Sequence, residues 1–306
     1  MMNNILNRRN FFLIAKSTIF SILIVFSLAG CTTFGKTQGL DNNGEIFEKR
    51  LLEIPLCPGT ENAFAEDHEV HTYSGFQLCY RESYEQAEWV SYTITREELI
   101  KVTGRLNNFR PDTQISTGSA ELSDYKNSGY DRGHLAPSGD MTWSFESASD
   151  SFLLSNMSPQ TPAFNRGMWK KLEEEIRKWA DNFGYVVVIT GPLLEKNVGE
   201  YECIGENKVA VPQYYYKVLL TEITDEEGNS FYTAAAFVMP NEDIKGSIWD
   251  YAISVDEVEK RSGLNFFYIL NDSIEDEIES CMDFSIWKEW KSFKDNFFLV
   301  LCFFIK

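Results

Sequence analysis

The chain has 306 residues, 43% of them hydrophobic and 14% aromatic, which supports an ordinary packed core in one large domain or two small ones. Its formal net charge is −18. Because affinity for DNA comes largely from neutralising phosphates, that charge argues against a tight DNA-binding module, whereas turnover tolerates weaker binding and needs only a local positive field from a metal ion and a few arginines.

The first thirty residues stand apart from that core. Arg8 and Arg9 precede an apolar run from Phe11 to Phe26, interrupted only by Lys16 and small hydroxyl residues, and the run ends in Leu28-Ala29-Gly30-Cys31. The run approaches the length of a membrane span, so a transmembrane anchor is one reading. Its ending resembles a bacterial lipobox, in which Cys31 is lipidated and becomes the first mature residue. The stretch Arg8-Arg9-Asn10-Phe11-Phe12-Leu13 is also similar to a twin-arginine export motif. These likenesses imply a lipoprotein signal peptide over 1–30 and an exported protein held in the bacterial cell envelope, at the outer membrane or cell surface, through Cys31.

Export permits disulfides. Apart from Cys31 there remain Cys57, Cys79, Cys203, Cys281 and Cys302, so at least one thiol is left over. Proximity favours a Cys57–Cys79 bridge first and Cys203–Cys281 second. No Cys-x-x-Cys pair occurs, which argues against a zinc ribbon.

Residues 31–70 read as a tether, with a Gly/Thr/Asn-rich opening from Thr32 to Gly44 and a short helix over Glu45–Leu52 before Pro55 and Pro58. His68 and His71 lie close together without a third obvious ligand nearby, which weakens a metal role for them. From Tyr73 the pattern alternates, with Phe76, Leu78 and Tyr80 on one face, then Val90, Tyr92 and Ile94 on one face of Trp89–Thr95, predicting two strands. Arg96-Glu97-Glu98-Leu99 breaks the alternation, and Arg105 and Arg110 follow in a polar loop ending at Pro111-Asp112. Asp124–Tyr130 is turn-rich, and Phe152-Leu153-Leu154 is a short, strand-like apolar run before Asn156.

Met168, Leu172, Ile176 and Trp179 recur at helical spacing, predicting a helix over Asn165–Asp181 with one buried face. Tyr185–Thr190, Val209–Leu220 and Phe231–Met239 predict further strands. Ser254-x-x-Glu257 has the form of a capping box for a helix that stops near Gly263. Together these elements predict an α+β domain over 71–290, a central, mostly antiparallel sheet with helices packed on its faces. The tail 291–306 is unassigned; its nine apolar residues Phe297–Ile305 are too few to span a bilayer as a helix.

The chemistry concentrates between Tyr130 and Glu173. His134 is the only histidine besides His68 and His71, and imidazole accepts a proton near neutral pH, so a general base is its natural role. Gly133 before it permits backbone conformations other residues resist, and Pro137 stiffens the exit. Arg132 offers a planar cation for a phosphate oxygen, and Asp131 is placed to fix that arginine or the imidazole tautomer. Asn156 at a strand end reads as a brace for a loop. Asn165 lies near a helix start, and Glu173, eight residues on, sits about 80° around and about 12 Å along an ideal helix. The two therefore share an ion's inner shell only if the helix is distorted.

Asp131-Arg132-Gly133-His134, Asn156-Met157-Ser158-Pro159-Gln160 and the run Asn165-Arg166-Gly167-x-Trp169-x-x-Leu172-Glu173 resemble the DNA/RNA non-specific endonuclease family, the ββα-metal nucleases. Three blocks in order, nine residues from Asn156 to Asn165 and eight from Asn165 to Glu173, carry the resemblance. It implies a ββα-metal core and hydrolysis of DNA and RNA to 5′-phosphate ends. In that assignment His134 is the base and Asn165 the direct ligand of Mg2+, with Mn2+ as a substitute. Glu173 acts on the ion through water, Asn156 braces the metal loop, and Arg132 with Arg105 (or Arg110) holds phosphate. A non-catalytic envelope lipoprotein using the fold as a binding module, or a phosphodiesterase for another phosphate ester, are the competing readings. The lipobox reading is checked by fractionation: Cys31→Ala should move the protein from membrane to soluble fractions, and normal processing with unchanged membrane association would refute it.

Overall fold

The structure, a computed structural model, describes residues 52–56, 67–224 and 229–289. Cys31, the signal-like segment, Cys57 and the apolar tail lie outside the described residues. Among the described residues the strands are β1 (His68–Thr72), β2 (Gln77–Arg81), β3 (Gln86–Thr95), β4 (Asp131–His134), β5 (Met157–Gln160), β6 (Tyr185–Pro192), β7 (Cys203–Ile204), β8 (Val209–Ala210), β9 (Tyr214–Thr224), β10 (Ser230–Pro240) and β11 (Ala252–Ile253). Three helices lie wholly within the described residues and exceed seven residues: α1 (Lys170–Phe183), α2 (Val255–Ser262) and α3 (Asp272–Ser280).

Seven strands make one sheet in the order β1-β2-β3-β6-β9-β10-β11, antiparallel at every pairing. Successive side chains of a strand point to opposite faces. In β6, Val186 and Val188 enter one core and Val187 and Ile189 the other. Phe237 and Met239 of β10 alternate in the same way with Ala236 and Val238. Both faces are covered, which is why the central strands read as continuous apolar runs. On the first face α1 lays down Leu172, Ile176 and Trp179; on the second α2 and α3 supply Val255, Val258 and Ile278. The α+β class and the antiparallel sheet flanked by helices are as expected. Ser254 caps α2 by accepting from the Glu257 amide, and Gly263 ends it at φ 75°.

Several expectations are corrected. The chain joins the fold before residue 71: β1 begins at His68, Leu52 is buried on the second face, and Leu56 exchanges backbone hydrogen bonds with Asn265. Apolar side chains in a polar-looking stretch found a sheet face to cover. Phe152-Leu153-Leu154 is no strand; its backbone turns, with a single parallel bridge from Leu153 to Arg110, because the run is buried without alternation. Val209–Leu220 divides into β8 and β9 around Pro212, which has no amide to give a ladder. The Cys203–Cys281 bridge does not form: both thiols are free, one on β7 and one just beyond α3.

Trp179 is the largest side chain α1 buries, flanked by Phe237, Trp249 and Trp287 and donating from Nε1 to the Trp287 carbonyl at 2.8 Å. Trp179→Ala should cost about 3–5 kcal/mol of folding stability, read as a lowered urea midpoint; a shift within experimental error would mean α1 does not anchor the first core.

Candidate active site

β4 and β5 form a separate two-stranded ribbon, with His134 opposite Met157 and Gly133 opposite Ser158. The ribbon leads into the helical segment at Pro162, giving β, β, α in that order. It is tied to the large sheet: the Ser158 hydroxyl donates to Gln86 Oε1 at 2.6 Å and meets the Tyr215 hydroxyl at 2.6 Å, and Tyr215 donates on to the Pro159 carbonyl. Gly133 is needed for close approach and not for an unusual backbone angle. Its φ is not positive, and a Cβ there would overlap the buried Gln160 side chain.

His134 ends β4 and is 8% exposed. Its ring packs edge-on against Phe109 and Phe152, with centroids 5.7 and 5.1 Å away. Arg132 stacks over the Phe109 ring at 4.1 Å and Arg105 over the Phe152 ring at 5.0 Å, so two guanidiniums stand on the phenyl groups that enclose the imidazole. Burial first, then the charges of Arg105 and Arg132, pull the imidazole pKa from 6.5 to about 3. The ring is neutral at physiological pH. Its Nε2 is buried without a hydrogen-bond partner among the described residues, an arrangement that costs stability and calls for a functional reason.

The two candidate arginines separate. Arg105 acts electrostatically on both His134 and Glu173. Arg110 instead donates to the Ser149 carbonyl at 2.8 Å and pairs with Asp150 at 3.5 Å.

Asn156 is fully buried and braces the chain leaving His134. Its Oδ1 accepts from the Ala136 amide at 2.9 Å, and its Nδ2 donates to the Ala136 and Ser151 carbonyls. The brace thus holds the histidine loop. Asp131 also differs from expectation, since it contacts neither Arg132 nor the imidazole. It accepts two hydrogen bonds from Arg166, at 2.8 and 2.6 Å, and one from Asn165 Nδ2 at 2.9 Å. Burial raises its carboxyl pKa, and Arg166 and Asn165 outweigh that and hold it low. With Nδ2 fixed, Asn165 Oδ1 is left as an acceptor that makes no hydrogen bond among the described residues.

The helix after β5 is not ideal. Thr161 caps a short turn at Pro162–Phe164, a wide π-type turn runs over Asn165–Trp169, and Gly167 leaves helical geometry at φ −105°, ψ −110° before α1 begins. The distortion falls between Asn165 and Glu173, so their ideal-helix separation does not hold. Glu173 is not paired with Arg177, which bonds Asp140 at 2.6 Å instead; Tyr92 donates to the same Asp140 at 2.8 Å. Burial pushes the Glu173 pKa up, while Lys217 and Arg177 draw it down. Lys217, fully buried on β9, is pushed down by burial and held up by Glu173; its ammonium lies over the Trp169 ring at 4.5 Å and donates to Thr190 Oγ1. The Glu173 carboxylate and Asn165 Oδ1 are oxygen donors without hydrogen bonds to described residues, a set that fits a hard divalent cation.

Sequence reasoning missed Phe109, Phe152, Asp140 and Lys217. Only Lys217 left a signal, as the one charge in the apolar run Tyr214–Leu220. His68 does gain neighbours from afar: its ring nitrogen lies 2.7 Å from Glu88 and 3.6 Å from the Cys79 sulfur, with Arg81 also on Glu88.

A family model of the DNA/RNA non-specific endonucleases matches residues 59–273. The mitochondrial nuclease EXOG of Homo sapiens is 34% identical over 247 residues, covering 76% of this chain and 64% of its own length. The mitochondrial endonuclease G of Caenorhabditis elegans is 37% identical over 212 residues, 65% of this chain and 68% of its own. A chain from the crystal structure of an EndoG/EndoGI complex, a study of EndoG inhibition, superposes with a TM-score of 0.60 at 32% identity, over 67% of this chain and 88% of that one. The chain spans 61% of the EXOG nuclease of Danio rerio and 57% of that of Mus musculus. The ribbon bearing His134, the helix bearing Asn165 and these matches agree, and the chain belongs to the DNA/RNA non-specific endonuclease family.

Proposed function

We propose that the protein is a metal-dependent nuclease that hydrolyses internal phosphodiester bonds of DNA and RNA and leaves 5′-phosphate ends. The observation that carries this reading is the neutral, buried His134 with an unpartnered Nε2, set between Arg105 and Arg132. The lipobox-like ending supports placing the enzyme in the bacterial envelope through Cys31.

His134 takes the proton from the attacking water at Nε2. A phosphodiester drawn to Arg105 and Arg132 cancels part of their charge, which removes one cause of the low imidazole pKa and makes the base stronger when substrate is in place. The same guanidiniums offset charge that builds on the phosphate oxygens during attack. Asn165 Oδ1 would hold the cation, with Asp131 and Arg166 keeping that amide in place, and Glu173 would act on the ion through water. When bound, a divalent ion, Mg2+ with Mn2+ as a substitute, supplies positive charge at the scissile phosphate and the departing 3′ oxygen. No residue in this scheme uses a ribose 2′-hydroxyl, so DNA and RNA are both substrates.

Purified protein should cut plasmid and RNA in the presence of magnesium and lose both activities to a chelator; activity on RNA alone, with 2′,3′-cyclic ends, would remove the attacking water. His134→Ala should lower the rate by roughly 10²- to 10⁴-fold at any magnesium concentration. Asn165→Ala should recover activity as magnesium rises, and Glu173→Gln should lose roughly 10- to 100-fold. An Asn165→Ala enzyme with full activity and unchanged metal dependence would sink the assigned ligand.

The buried imidazole also makes stability depend on pH. The unfolded chain's imidazole gains its proton near pH 6.5, whereas the folded one stays neutral to about pH 3. Above pH 6.5 neither state is protonated there. As pH falls below it only the unfolded state gains a proton, so folding stability declines, by about 2 kcal/mol between pH 7 and 5. In urea unfolding at the two pH values, the protein should lose about that much more than His134→Gln; equal losses would contradict a neutral buried imidazole.

A further inference from the structure

The helices on the second face of the sheet meet through carboxylates. Asp256 and Glu259 stand one turn apart on α2, Glu279 stands on α3, and one oxygen from each lies within 4.8 Å of the others. Glu279 is 5% exposed, and its Oε1 is buried with no hydrogen-bond partner. The basic residues of α2 are engaged elsewhere, Lys260 with Glu257 and Arg261 with Glu195. Glu259 Oε1 accepts from the Phe266 amide at 2.7 Å, which fixes that carboxylate and leaves its second oxygen available.

Three like charges at a half-buried helix contact are unstable unless a proton or a cation answers them. The demand for positive charge is therefore strong and local. Magnesium demands near-ideal octahedral geometry and gives up its water reluctantly, whereas calcium takes about six to eight oxygens in flexible arrangements. All-oxygen ligands on flexible side chains, with the outer face open to water at Asp256, suit the same ion.

We propose that Asp256, Glu259 and Glu279 form a structural calcium site that clasps α2 to α3, separate from the nuclease centre. The ion relieves the carboxylate repulsion and holds Val258 and Ile278 in the second core, so the stability of this face rises with calcium.

The test is calcium titration of chelator-treated protein by calorimetry, with thermal unfolding in parallel. The protein and Asn165→Ala should both bind calcium at this site and unfold at temperatures that climb with its concentration. Glu279→Gln should weaken that binding by about tenfold or more and flatten the thermal response, while cutting nucleic acid normally at saturating magnesium. Gln keeps the side-chain volume and removes a repelling charge, so this variant folds; Asp256→Asn at the exposed rim should weaken binding in the same direction. Calcium binding unchanged in Glu279→Gln, or no thermal response in the parent protein, overturns the site, and an equal response to magnesium overturns the choice of ion.

Discussion

Burial of a neutral histidine is the constraint on which the site depends. An imidazole open to water would share its proton with solvent near pH 6.5, whereas the ring held against Phe109 and Phe152 stays unprotonated and keeps Nε2 uncommitted. That burial sets requirements on the neighbours. The chain leaving His134 carries amides and carbonyls out of water, and the Asn156 side chain answers Ala136 with two hydrogen bonds while a third ties it to the Ser151 carbonyl. The strand lies close to the buried Gln160 side chain, which any side chain larger than glycine's at 133 would have to displace. The ribbon in turn needs a rigid floor, given by Gln86 from β3 and Tyr215 from β9 through the Ser158 hydroxyl.

A second polar centre lies behind the first, where Glu173, Lys217, Asp140, Arg177 and Tyr92 share the space between α1 and the sheet. Buried ions are costly singly and tolerable when each faces an opposite charge. Here Arg177 bonds Asp140 directly, and Lys217 leans on Trp169 and Thr190 while its charge acts on Glu173. A carboxylate without a direct hydrogen bond but held among cations keeps its oxygens available without drifting. Asp131 does the equivalent for Asn165, so each proposed contact to the ion has a partner that orients it.

The sheet and α1 were legible in the sequence because alternation and helical spacing are local signals: Val186–Ile189 and Leu172, Ile176, Trp179 needed no knowledge of partners. His134, Asn165 and Arg132 were legible because residue type and order carried them. What escaped was pairing across the chain. Asp131 sits beside Arg132 in sequence, yet a strand turns alternate side chains apart, and it reaches Arg166 thirty-five residues on. Phe109 and Phe152 looked like loop and strand residues, since enclosing a ring leaves no periodicity. The departure at Gly167 was invisible for the same reason, as a glycine within an amphipathic pattern is read as a tolerated one.

Charge brings these scales together. A chain at −18 repels nucleic acid on average, yet the repulsion falls off within about 10 Å at ordinary ionic strength, so in the proposed nuclease only charges near the phosphate would decide its capture. Arg105 and Arg132 lie within that range of His134, pinned on aromatic faces where little side-chain freedom remains to be lost. Arg166, by contrast, is spent on Asp131, and Arg110 on Asp150. The acidic exterior then works against tight retention while the few placed cations work for orientation, a division suited to an enzyme that releases its product and unsuited to a protein that stores or shields nucleic acid.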